Sequence, residues 1–93
     1  MIVSFGNKET RKLWEGARIR GVSLEIQEVS RRKLRMINNS QDLADLIIPP
    51  SNRLEKLKGD LKAFYSIRVN DQSRIIFEWR NGNAENVELI DYH

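Results

Sequence analysis

The sequence predicts an α+β fold in which helices pack against one face of an antiparallel sheet. Apolar and polar residues alternate in Phe64–Val69 and again in Ser73–Arg80, as in half-buried strands. Asn81-Gly82 follows, and this dipeptide tolerates the positive φ angles of a type I′ hairpin turn. The first half instead spaces its apolar residues as helices do. The expected order is therefore a strand, two helices and a meander of strands.

The first half is expected to hold the strand and both helices. Residues 1–5 carry β-branched and aromatic side chains, and we expect them to join the C-terminal sheet. Asn7 is expected to cap a helix that runs to about Ala17, and Ser23 to cap a longer helix that ends near Ser40. The apolar residues of the second helix fall within about half of its circumference: Val22, Ile26, Val29, Leu34, Met36 and Ile37.

A pair of prolines connects the two halves. Residues 41–48 predict one or two helical turns that drop into the core, through the side chains Leu43, Leu46 and Ile47. Pro49-Pro50 ends these turns, because proline excludes the residue before it from helical conformation. Residues 53–57 are expected to add a strand before a turn at Lys58-Gly59-Asp60. Neither half has enough apolar residues to fold alone, so residues 1–93 are expected to form one domain.

The composition argues against several kinds of site. The 93 residues include no cysteine and one histidine, so we expect no disulfide frame, no metal site and no cofactor. Glycine-rich phosphate loops and nucleophile elbows are missing from the sequence. The first residues become polar too soon for a signal peptide, and the apolar run Leu46–Ile48 is too short to span a membrane. A cytoplasmic location without membrane contact is the expectation.

Positive charge is unevenly distributed. The net charge is +3, and residues 1–35 carry nine lysines or arginines against four acidic residues. Residues 53–74 carry six against three, whereas residues 75–93 carry one against four. A concentrated basic surface attracts nucleic acid by releasing counterions from the phosphate backbone. Three arginines share one side of the second helix, where they would either grip a phosphate backbone or simply face solvent: Arg31, Arg32 and Arg35.

The carboxyl end brings three proton-transfer groups together, in Asp91, Tyr92 and His93. Imidazole titrates near neutrality, so His93 needs little tuning to act as a base or an acid. The alternative is a frayed, solvated chain end, which is the commoner state of a terminal histidine.

Cations on the sheet strengthen the chemical interpretation. By alternation Arg68 and Arg74 lie opposite the apolar stripe, and Lys58 lies on a turn at the sheet edge. RNA cleavage needs a base for the 2′-hydroxyl proton, an acid for the leaving 5′-oxygen and positive charge at the phosphate. The alternative is that both arginines pair across strands with Glu78 or Glu88.

Three stretches of the chain resemble the HigB toxins, the plasmid-maintenance killer proteins of the RelE superfamily. They are Arg-Leu-Glu-Lys-Leu-Lys-Gly-Asp at 53–60, Tyr-Ser-Ile-Arg-Val-Asn-Asp-Gln-Ser-Arg-Ile-Ile-Phe at 65–77, and the final Asp-Tyr-His. The likeness covers nearly the whole chain and is specific from Pro49 onward. It implies a RelE-like fold and a ribosome-dependent endoribonuclease, an mRNA interferase that cuts translated messages in the decoding site without a metal.

The resemblance also implies roles for individual residues. Asp91 and His93 would share the proton transfers, and Tyr92 would place or stack the nucleotide. Lys58 and Arg74 would stabilise the charge on the phosphate. RNA binding would fall to four arginines: Arg68, Arg31, Arg32 and Arg35.

The sequence departs from the family at two positions. Some members have histidine where this chain has Glu55, whose carboxylate would act as a base or merely pair with Lys56 or Arg53. Many members have tryptophan where this chain has Ser73, which removes apolar area near Arg74.

The implied partners are the ribosome with its rRNA, the mRNA, and a HigA-type helix-turn-helix antitoxin, with operator DNA reached only through that antitoxin. Two other functions fit the same scaffold. ParE-like relatives poison DNA gyrase without cutting RNA, and a non-catalytic protein would only bind RNA or the ribosome. The terminal Asp-Tyr-His favours cleavage, because a gyrase poison has no need of it.

Overall fold

The computed structural model describes residues 1–91 and confirms the α+β order. Within these residues, two helices precede an antiparallel sheet of four strands: α1 (Lys8–Trp14), α2 (Leu24–Asn39), β1 (Glu55–Lys56), β2 (Phe64–Arg68), β3 (Ser73–Arg80) and β4 (Asn83–Asp91). Neighbouring strands follow the order of the chain, so the sheet is the predicted meander. In this part of the chain no helix combines the length and apolar character needed to cross a bilayer.

Both helices begin at the predicted caps. The side-chain oxygen of each cap accepts a hydrogen bond from the N–H three residues on, at 2.9 Å for Asn7 and 3.2 Å for Ser23. Helix α1 ends at Trp14, earlier than the expected Ala17. The backbone turns left-handed at Gly16, where φ is +98°, and this conformation ends the helix.

The first five residues join the sheet without forming a full strand. They run parallel to β4 and form isolated bridges, from Ile2 to Ala84 and from Phe5 to Val87. The expectation that they join the C-terminal sheet is therefore confirmed.

The hairpin between β3 and β4 has the predicted turn. Asn81 and Gly82 both adopt positive φ, at 51° and 78°. Further along β4, Asn86 also has a φ of 51° and lies at a register shift against β3. Such a bulge adds one residue to a strand, and the pairing beyond it places Arg74 opposite Ile90.

The core lies between the helices and the apolar face of the sheet. Its fully buried side chains come from both helices and from β2, β3 and β4, and include Leu13, Leu34, Ile37, Ile67, Ile75, Phe77 and Val87. The opposite face is polar as predicted, but part of it is shielded from solvent. Ser66, Arg74, Ile76 and Glu78 on that face each expose 9% or less of their surface.

The connection between the halves forms 3₁₀ turns at Leu43–Ile47 and Pro50–Asn52. Leu46 enters the core as predicted, but the prediction for Ile47 is wrong, since 58% of its surface is exposed. A 3₁₀ helix has about three residues per turn. Leu43 and Leu46 therefore share the inner side, and Ile47 turns outward.

Candidate functional site

Two of the predicted catalytic residues, Glu55 and Arg74, are in contact at the β1 edge of the sheet, and a third, Lys58, lines a hollow with Glu55. Arg74 donates from Nη2 to Glu55 Oε1 at 3.5 Å, and from Nη1 to Ser66 Oγ at 2.9 Å. Glu55 and Lys58 line one hollow of about 310 Å³. These four residues, Glu55, Lys58, Ser66 and Arg74, are called the Arg74 cluster below.

The strand register explains why the cluster forms. Glu55 in β1 lies directly opposite Ser66 in β2, so the two side chains project from the same face. Ser66 in turn pairs with Ile76, which makes Arg74 its diagonal neighbour on β3. Cross-strand diagonals of this kind are within reach of long side chains such as arginine. Sequence reasoning missed Ser66 as a site residue, and the available signal was a serine at a polar-face position beside Arg68.

Burial gives the two charges of the cluster different roles. The side chain of Arg74 is 11% exposed and that of Glu55 is 55% exposed. The permanent charge of the guanidinium therefore lies at the base of the site, with the carboxylate at its mouth. Charge–charge interactions strengthen as water is excluded, so Arg74 is placed to attract a phosphate.

Arg68 lies directly opposite Arg74 but forms a different ion pair. Like charges at opposite positions of two strands repel each other. Arg68 donates to Asp71 in the turn after β2, whereas Arg74 leans along its strand toward Glu55. The two guanidinium groups consequently have separate acidic partners.

The acidic residues considered as cross-strand partners bind other donors. Glu78 accepts hydrogen bonds from Arg80 at 3.2 Å and from Asn86 at 2.6 Å. Glu88 accepts a hydrogen bond from Asn7 at 3.0 Å. Glu55 likewise takes Arg74 as its ion-pair partner, rather than the sequence neighbours suggested for it.

The end of β4 contributes Asp91, the last described residue. Asp91 pairs with Ser73, and because strand side chains alternate it shares the face of Ser73 rather than that of Arg74. Both residues line a hollow of about 350 Å³, to which Arg20 and Ser23 also contribute. The predicted Tyr92 and His93 lie outside the described residues. The meeting of these terminal groups with Lys58 and Arg74 stays a prediction.

The three arginines predicted on α2 line one shallow hollow of about 230 Å³ with Glu28: Arg31, Arg32 and Arg35. Arg31 is also bound to the backbone. Its Nε donates to the carbonyl of Leu13 at 2.9 Å and its Nη2 to that of Ala17 at 2.6 Å. Arg31 thus holds the end of α1, while Arg32 and Arg35 are exposed.

Lys33 connects the basic face of α2 with the sheet. Burial lowers the pKa of the Lys33 ammonium, and the nearby charges of Arg32 and Arg68 lower its pKa further. Lys33 donates to the buried Asn52 at 2.5 Å. Arg32, Lys33 and Arg68 are therefore near enough for their charges to interact, and these three residues are called the basic run below. Sequence reasoning did not identify Lys33 as a site residue, although a lysine among the apolar residues of α2 was the available signal.

Comparison with known proteins identifies the family to which the chain belongs. The model of the RelE-like toxin of the type II toxin-antitoxin system HigB matches residues 3–93. The chain belongs to this family of HigB-like toxins. Its relatives include Toxin HigB-1 of Vibrio cholerae serotype O1, which is 41% identical over 90 residues, covering 96% of this chain and 95% of the relative. Endoribonuclease HigB of Proteus vulgaris is 32% identical over 97 residues, covering 100% of both chains.

Solved structures confirm the RelE-like fold of this HigB-like chain. The YoeB–YefM complex from Staphylococcus aureus contains a chain that superposes with a TM-score of 0.64 at 15% sequence identity. The match covers 100% of this chain and 98% of the other. In residues 1–91, no three histidine, cysteine or acidic side chains are grouped so that they could hold a metal ion.

Proposed function

We propose that this HigB-like toxin is a ribosome-dependent endoribonuclease that cuts translated mRNA in the decoding site. The observation that supports the proposal most directly is the Arg74 cluster, in which a nearly buried guanidinium contacts an exposed carboxylate, and that carboxylate lines a hollow with Lys58. The relative from Proteus vulgaris, which matches this chain over its full length, is named an endoribonuclease.

In the proposed reaction, a base removes the proton of a 2′-hydroxyl, and the resulting oxygen forms a bond to the adjacent phosphorus. The bond from phosphorus to the 5′-oxygen breaks, and an acid gives that oxygen a proton. The products are a 2′,3′-cyclic phosphate and a free 5′-hydroxyl. In this proposal Asp91 and His93 share these proton transfers, which requires the end of β4 to turn from the Ser73 side toward the face of Arg74, and Glu55 is a further base. Arg74 and Lys58 stabilise the negative charge that builds on the phosphate.

The basic run provides a place for the RNA backbone to bind. Arg32, Lys33 and Arg68 lead from α2 to the strand next to Arg74. Contacts to phosphates position a nucleic acid without reading its sequence, so this surface sets the register of the RNA. Tyr92 places or stacks the nucleotide at the cleaved bond.

The proposal includes a protein partner and a location. The Staphylococcus aureus neighbours are complexes of YoeB with YefM. A HigA-type antitoxin would bind this chain and hold it inactive, and only that antitoxin would contact operator DNA. Translation takes place in the cytoplasm, so the protein acts there.

Induced expression in a bacterial host tests the function. Wild type is expected to arrest growth, and primer extension on a translated message is expected to show breaks inside codons. Arg74→Ala and His93→Ala are expected to relieve the arrest and remove the breaks. Arg80→Ala is the matched control, because Arg80 lies at the far end of β3 with 61% of its side chain exposed. Full toxicity of both site variants would contradict cleavage and favour a gyrase target.

A further inference from the structure

The direction of the Arg74 side chain is set by its neighbours. Arg68 lies directly opposite on β2, and repulsion between the two guanidinium groups disfavours an approach along that line. Arg74 instead extends along the strand to the next position of the same face, where Ser66 accepts from Nη1 at 2.9 Å. A long, flexible side chain is thereby held in one orientation.

Ser66 is well suited to fix that orientation. No part of its surface is exposed to solvent, although it lies on the polar face of the sheet. Its position in the middle of β2, opposite Glu55 on one side and Ile76 on the other, gives its hydroxyl a rigid backbone. A buried hydroxyl needs hydrogen-bond partners, and within residues 1–91 the Ser66 oxygen accepts a hydrogen bond from Nη1 of Arg74.

Glu55 binds the other terminal nitrogen of the same guanidinium. Its contact to Nη2 is longer, at 3.5 Å, and its side chain is 55% exposed. An exposed carboxylate at that distance is easily displaced by a phosphate, whereas the short contact to buried Ser66 persists. The guanidinium can therefore exchange Glu55 for substrate without losing its direction.

We propose that Ser66 is a positioning residue that aims Arg74 at the phosphate of the bound RNA. This inference rests on the proposed function, because the group that Arg74 stabilises is the phosphate of the cleaved bond. Ser66 acts only through Arg74. Loss of the hydroxyl is therefore expected to slow the chemical step and to leave RNA binding unchanged.

The test compares Ser66→Ala with Ser66→Thr, which keeps a hydroxyl. In single-turnover cleavage of mRNA on purified ribosomes, Ser66→Ala is expected to reduce the rate by about 10- to 100-fold. Its affinity for the programmed ribosome is expected to stay within about threefold, and Ser66→Thr to recover most of the rate. If Ser66→Ala does not fold, Ser66→Cys serves, because sulfur fills similar space and accepts hydrogen bonds weakly.

A double-mutant cycle distinguishes loss of the Arg74 orientation from general damage to the sheet. In an Arg74→Lys background, Ser66→Ala is expected to cause no further loss, because the orientation that it controls is already gone. An equal loss in both backgrounds, or a wild-type rate for Ser66→Ala, would overturn the inference.

Nuclear magnetic resonance of the Arg74 side-chain nitrogens tests the aiming independently of cleavage. Rotation about the guanidinium bonds is expected to be faster in Ser66→Ala than in wild type. Wild type that cuts no translated message would refute the proposed function alone. Unchanged rotation in Ser66→Ala would refute the role of Ser66 alone.

Discussion

Arg74 is the residue on which the candidate site depends most. It carries a permanent charge where only 11% of its side chain is exposed, between a buried hydroxyl and an exposed carboxylate. A charge removed from water binds an anion more strongly than one on the surface. The same residue on an open strand would be an ordinary solvated cation.

Glu55 provides a prediction at this scale. Glu55→Gln is expected to reduce single-turnover cleavage by about 10- to 100-fold, because it removes a carboxylate beside the phosphate site. The free energy of unfolding is expected to change by less than about 1 kcal/mol, since the Glu55 carboxylate is largely exposed, its contact to Arg74 is long, and Arg74 keeps its hydrogen bond to Ser66. Urea denaturation gives the second quantity. Glu15→Gln, an exposed change next to α1, is the control, and equal cleavage by the two variants would exclude a role for Glu55.

Lys33 gives a prediction on pH. The fold holds the pKa of Lys33 below its ordinary value of 10.5, mainly through burial, so its charged form is disfavoured in the folded state. Below the folded pKa, Lys33 is charged both folded and unfolded, and it costs stability. As pH rises through the folded pKa, the folded chain loses this proton first, and stability increases.

Lys33→Arg keeps the charge at every accessible pH and isolates this effect. The wild type is expected to gain unfolding free energy relative to Lys33→Arg between about pH 7 and about pH 10, as measured by urea denaturation. If the stability difference between wild type and Lys33→Arg is the same at both pH values, the lowered pKa of Lys33 is refuted.

At the scale of elements, two neighbouring arginines of α2 have different surroundings, one bound within the fold and one on the proposed RNA surface. Arg31 turns inward and binds the carbonyls of Leu13 and Ala17, whereas Arg32 is exposed. Composition and helical spacing treat the two residues alike, and only the packing of α1 against α2 distinguishes them.

This difference predicts that two adjacent substitutions affect different properties, protein stability in one case and RNA binding in the other. Arg31→Ala is expected to lower the free energy of unfolding by about 1 to 3 kcal/mol, because two backbone acceptors lose a charged donor. Arg32→Ala is expected to change it by less than about 0.5 kcal/mol. For binding to RNA, Arg32→Ala is expected to reduce the salt dependence by about one ionic contact. Similar effects of the two variants on stability would contradict the division of roles.

Local chemistry in the sequence predicted most elements. The caps Asn7 and Ser23 and the turn at Asn81-Gly82 act within a few residues, so they could be identified directly. The polar face that carries Arg74 followed from strand alternation. The outward turn of Ile47 could not be predicted, because it depends on a 3₁₀ rather than an α-helical turn.

The contacts inside the candidate site were harder to predict than the residues that form it. Glu55, Lys58 and Arg74 were identified from the residues and the resemblance, but their partners depend on strand register. The diagonal placement of Arg74 against Ser66 follows from pairing that no local pattern specifies. Lys33 was missed for a similar reason, since its neighbour Arg68 comes from a distant part of the chain.

At the scale of the whole molecule, the proposed function assigns RNA binding to the basic run and cleavage to the Arg74 cluster. Arg68 belongs to the run and lies opposite Arg74, so a backbone that follows the run reaches the cluster across one strand. The acidic excess of residues 75–93 lies in β3, β4 and the chain end, away from the run in the sequence.

Cleavage of a defined mRNA by purified protein, with and without programmed ribosomes, tests the central claim most directly. Wild type is expected to cut the message within codons only when it is being translated, and Arg74→Ala to lower the single-turnover rate by at least about 100-fold. An Arg74→Ala variant that cuts the ribosome-bound message at the wild-type rate would contradict the account.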